Sequence, residues 1–164
     1  MALRIKSHWN NEEAERSLPE IASALAYIAW RIATDKAINL HCERFLYRDD
    51  AQRLAVIGEY LLFLIQIADR LAADRMEAED RRALVTALAR KLIEHVQDNS
   101  QDLLGPGDYG SPFIERLNVR SGEYAEFQLA ADGPSYAFLR HLGFEIQSLM
   151  GPGAENRWVI DQVM

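Results

Sequence analysis

The chain has 164 residues, 49% hydrophobic and 26% charged, which is the size and make-up of one globular domain around a single core. A formal charge of -7, with no basic cluster longer than a pair such as Arg81-Arg82, argues against a nucleic-acid-binding surface, because phosphate recognition needs grouped Lys and Arg. The lone Cys42 excludes an internal disulfide and a zinc-binding cysteine quartet, and it fits a reducing, cytoplasmic setting.

Residues 1–16 lack periodicity and read as an N-terminal arm without the apolar core of a signal peptide. Ser17-Leu18-Pro19-Glu20 then combines a capping hydroxyl, a first-turn proline and an acid at the positive helix end, and predicts a helix running to about Phe45. Ile21, Leu25, Ile28 and Ile32 form an apolar stripe on it, the many alanines allow a neighbouring helix to come close, and Arg31 and Asp35 make an i, i+4 pair.

Asp49 and Asp50 open a second helix that reaches about Met76. Leu54, Ile57, Leu61, Leu64, Ala68 and Leu71 give its main stripe, while Val56, Phe63 and Ile67 cover another side. A helix apolar on most sides needs neighbours on most sides, so it is expected at the centre of the bundle. Its apolar run is too short to span a bilayer and is interrupted by Glu59 and Gln66, so no membrane partner is expected. The acids Glu77, Glu79 and Asp80 start a third helix carrying Leu84, Leu88, Leu92 and Val96, which stops at Gly105-Pro106-Gly107.

The C-terminal half is more broken. Ser111-Pro112 starts a short helix through Leu117, and Ser121-Gly122-Glu123 restarts the chain through Tyr124, Phe127 and Leu129, with fusion of the two left open. Asp132-Gly133-Pro134-Ser135 turns into a helix bearing Phe138, Leu142, Ile146 and Leu149, with Gly143 inside it marking a close contact or a kink. Residues 154–164 are a candidate terminal helix. The segments at His95 and His141 share a Gly-Pro-Gly ending, read as common helix-stop chemistry rather than duplication. With no alternating strand pattern, the expected fold is one all-α domain over 1–164: a bundle of three long antiparallel helices and a shorter-helix C-terminal half.

Folding the long helices about their turns places Glu59 level with Asp35 to Asn39 on one side and Leu92 to His95 on the other, with Glu123 and Glu126 at a similar height. One reading makes Glu59, Glu94, His95, Glu123 and Glu126 ligands of a divalent metal, as carboxylates and imidazole serve in helical-bundle enzymes. The Glu-x-x-His pair of di-iron bundles is absent. The other reading pairs a buried Glu59 with Lys36 or Arg90, since an ionised core carboxylate needs a partner. His95 and His141 read as rings beside helix C-termini.

The second-helix sequence GEYLLFLIQIADRL, from Gly58, resembles, over a dozen residues, the second acidic helix of the all-α nucleoside triphosphate pyrophosphatases, a resemblance that implies magnesium held by carboxylates on neighbouring helices. The family's Glu-Glu-x-x-Glu motif is missing, and Leu62 stands where its Glu-x-x-Asp would end.

The functional expectation is therefore a non-catalytic, cytoplasmic interaction protein without a cofactor, which self-associates or binds a protein partner through the aromatic C-terminal half or through Trp158, Ile160, Val163 and Met164. Two alternatives stand beside it: the metal-dependent bundle enzyme, hydrolytic or di-iron, and an apolar-ligand pocket lined by Tyr27, Trp30, Tyr60 and Phe63.

Overall fold

The computed structural model describes residues 16–40, 46–151 and 158–164. It is an all-α bundle, 80% helical, in which three long helices pack against one another. The N-terminal arm and the His41-Cys42 pair lie outside the described residues.

Helix α1 spans Leu18–Leu40, α2 Asp50–Ala73, α3 Ala78–Leu104, α4 Gly110–Tyr124, α5 Tyr136–Met150 and α6 Val159–Val163. The start of α1 is a reciprocal capping box: the Ser17 N–H donates to Glu20 Oε2 at 2.9 Å and the Glu20 N–H to Ser17 Oγ at 3.4 Å. Its buried face is made of alanine, with Ala22, Ala26, Ala29, Ala33 and Ala37 leading to Leu40. Side chains this short let α2 and α3 approach closely, so the alanines win the core position. The expected isoleucine stripe is displaced sideways: Ile21 and Leu25 are half-buried, while Ile28 and Ile32 remain 50% and 40% exposed.

Helix α2 begins with Asp49 accepting from the Gln52 N–H at 2.8 Å. Every residue from Val56 to Phe63 is buried, because α1, α3, α4 and α5 all pack against this helix. Leu84, Leu88 and Leu92 are the buried line of α3. Gly105 and Gly151 close α3 and α5 alike, with φ of +92° and +82° and an N–H bonded four residues back, which accounts for the similar wording around the two stops.

The two short helices expected after residue 110 are one helix, α4. Beyond it Phe127 and Leu129 are not helical: the chain makes a minimal antiparallel hairpin, β1 Leu129–Ala130 with β2 Gly133–Pro134, turning through Ala131 and Asp132. Ser135 then caps α5 through the Phe138 N–H. Helix α6 lies on α5 where Gly143 removes a side chain; a Cβ there would stand 3.0 Å from Ile160 Cα. Close contact, not a kink, explains that glycine.

Candidate functional site

The side of α2 that faces the C-terminal half carries a polar line through the core: Gln52, Glu59 and Gln66, spaced by seven residues and all buried. Seven residues are almost two helical turns, so the three share one face. The Gln52 side chain donates to the Leu149 carbonyl at 3.0 Å, and that of Gln66 to Ser121 Oγ at 3.0 Å. Between them Glu59, 0% exposed, projects toward α4.

Two arginines one turn apart on α4 meet it. Arg120 forms a fork, Nε to Glu59 Oε2 at 2.9 Å and Nη2 to Oε1 at 3.1 Å, while Arg116 bonds Oε1 as well and reaches the Ala55 carbonyl at 3.4 Å. Such a bidentate, charge-assisted pair is what an ionised carboxylate needs away from water.

Arg120 continues outward. Its Nη1 donates to Glu123 Oε2 at 2.7 Å and its Nη2 also contacts Glu145 Oε2 on α5. Burial opposes its charge, but the hydrogen bond and charge of Glu59, then Glu123 and Glu145, hold it more firmly protonated than a free guanidinium. His141, one turn before Glu145, places Nε2 at 3.1 Å from Glu123 Oε2 and 3.8 Å from Glu145 Oε1. Burial tends to raise the Glu123 carboxyl, yet its hydrogen bonds with His141 and Arg120 win and keep it below the ordinary glutamate range.

Beneath this charge group lies an aromatic floor. Tyr124, fully buried, meets Phe138 at 4.9 Å and turns its ring edge-on to His141 at 5.2 Å. Its hydroxyl has no hydrogen-bond partner, and burial followed by the Glu59 carboxylate pushes its pKa well above that of free tyrosine. An unpaired buried hydroxyl costs about 1–3 kcal/mol.

No family model, curated protein or solved structure matches the chain.

Of the five metal candidates read from sequence, two share a neighbourhood: Glu59 and Glu123 both bind Arg120. Glu94 is on the exposed side of α3 with Lys91 at 2.8 Å, His95 packs its ring against Trp30 at 5.8 Å, and Glu126 is exposed beyond the end of α4. Glu59 has its two oxygens taken by arginine, from α4 rather than from Lys36 or Arg90. His141 is a member of the network near the start of α5, not a ring at a helix C-terminus. The sequence reading did not single out Arg116, Arg120 or Glu145. Arg116, Arg120 and Glu123 at i, i+4 and i+7 were the available signal, visible once α4 is one helix.

The four aromatic pocket candidates differ in exposure: Tyr60 and Phe63 are core, Trp30 is half-buried and Tyr27 is exposed. An apolar groove of about 530 Å³ runs between α1, α2 and α3, with Leu25, Ile28 and Ile32 on one wall and Leu64, Leu71 and Leu88 opposite. At the C-terminal end Val163 is buried and Ile160 rests on Gly143, leaving Trp158 and Met164 exposed at 57% and 39%.

Proposed function

We propose that this chain is a non-catalytic helical interaction protein that pairs with a second copy of itself through the outer surface of α1. The observation that carries the reading is the apolar character of that surface: Tyr27, Ile28 and Ile38 are each at least half exposed, and Ile28 and Ile32 continue into the groove beside α2. Contiguous apolar surface of this kind is costly in water and is covered in interfaces.

Charge selects the occupant. Arg31 and Asp35 lie on the same exposed face, one turn apart, and the Tyr27 hydroxyl to which Arg31 donates, followed by Asp35, holds Arg31 charged. When two copies of α1 meet antiparallel about a two-fold axis level with Ala33, Arg31 of each stands across from Asp35 of the other, with Ile28 and Ile38 to either side. An isologous contact requires such self-complementarity. The C-terminal segment contributes less to this reading, since α6 uses Val159 and Val163 to pack within the chain.

Sedimentation velocity tests it. The wild-type chain is expected to sediment as a dimer, and Ile28→Asp, at a half-exposed position that tolerates a charge, as a monomer with unchanged helical circular dichroism. A wild type that stays monomeric at about 100 µM, a hundredfold above a micromolar dimer constant, contradicts the proposal.

A further inference from the structure

We infer that Glu123, His141 and Glu145 form a binding site for one divalent first-row transition-metal ion. His141 and Glu145 are one turn apart on α5 and project from the same face, while Glu123 enters from the end of α4. The three ligand atoms lie within 4.8 Å of one another, with His141 Nε2 at 3.1 Å from Glu123 Oε2 and 3.8 Å from Glu145 Oε1. An ion about 2.1 Å from each ligand requires spacings up to about 4.2 Å, so a small carboxylate rotation closes the set. An imidazole with two carboxylates suits zinc, manganese or ferrous iron better than calcium, which takes oxygen ligands alone.

Two features beyond the triad point the same way. Arg120 holds Glu145 by Oε2 and leaves Oε1 turned toward His141, and Arg120 is itself fixed by the buried Glu59, so Glu145 is positioned from behind, while Glu123 Oε2 is shared between Arg120 and His141. Tyr124, fully buried beside His141, keeps a hydroxyl without a partner, within the electrostatic reach of Glu59, Glu145 and Glu123. The charges also agree: Glu59, Glu123 and Glu145 against Arg116 and Arg120 leave one negative charge in surplus while His141 is neutral. Glu59 thus acts as a positioning residue for the site, not as a ligand.

The test is titration of the chelator-stripped full chain with Zn²⁺ by calorimetry. One saturable ion per chain is expected, with at least tenfold weaker binding in His141→Ala and in Glu145→Gln and no change in Glu94→Gln, whose carboxylate pairs with Lys91 on another face. Absence of saturable binding, or binding unaltered in His141→Ala, overturns the inference. A second measurement needs no variant: substoichiometric Mn²⁺ should broaden the imidazole NMR signals of His141 before those of the other histidines. Equal broadening of all four histidines, or of none, overturns it as well.

Discussion

Glu59 is held from one direction only, by two guanidinium groups on α4, and this decides what it can do. A carboxylate with both oxygens in charge-assisted hydrogen bonds has little left to offer a substrate, but it locks Arg120 in place. Breaking a buried pair strands the opposite charges, so Glu59→Gln is expected to cost about 3–5 kcal/mol, read from the midpoint of urea unfolding. A loss below about 1 kcal/mol would mean that Arg116 and Arg120 find water instead. That Glu59 needed a partner was legible from its place in an apolar helix. Which partner was not, because counting residues across turns gives height along the bundle and not the direction a side chain takes. Lys36 belongs to α1 and Arg90 to α3, and the buried carboxylate turns to α4 instead.

At the scale of elements, α2 separates two kinds of contact. Toward α1 it is apolar, toward α3 it adds the Asp69–Arg81 ion pair at 2.6 Å to apolar packing, and toward α4 and α5 it carries Gln52, Glu59 and Gln66, each bonded across to the C-terminal half. The starts of the three long helices and the stop of α3 were written in the chain, and Asp49, Glu77 and Gly105 stand where those signals put them, whereas α2 ends at Ala73 rather than near Met76 and the expected end of α1 near Phe45 lies outside the described residues. The face of α1 did not follow from hydrophobicity, since Ile outranks Ala on any transfer scale, whereas packing rewards the residue that lets two backbones come near. Nor did the end of α4 follow: Tyr124 and Phe127 look alike in sequence, and only their common floor under α5 shows why the helix stops between them.

Gly143 tests the same packing logic. Alanine would improve intrinsic helix propensity by about 1 kcal/mol, yet its Cβ would press on the Ile160 backbone at 3.0 Å. Gly143→Ala is therefore expected to release α6, seen as faster amide exchange over residues 159–163 with α5 still protected. Unchanged exchange there would show that α6 shifts to absorb the methyl group.

For the whole molecule, two consequences of charge can be measured. Arg48 and the Gln52 N–H hold Asp49 below the ordinary aspartate range, the Ser111 N–H does so for Asp108, and Lys91 holds Glu94 below that of glutamate. A folded-state pKa lowered below the unfolded value adds stability above the unfolded pKa, near 4, and that contribution disappears as pH falls through the folded value. Stability from these groups should be level from pH 7 to about 5 and decline toward pH 3; a rise over that interval would reverse the sign of the account.

The second consequence is pairing. Among the described residues no helix is long and apolar enough to cross a membrane, and the exposed isoleucines of α1 are the surface of the proposed pairing. Arg31→Asp and Asp35→Arg each set like charges against one another in the proposed dimer, and each variant alone should dissociate at least tenfold more readily than wild type. Mixed in equal amounts, the two restore both opposite-charge contacts. Sedimentation velocity of the mixture is predicted to recover a dimer that neither variant forms alone, and a mixture that remains monomeric beside a dimeric wild type would contradict pairing through α1.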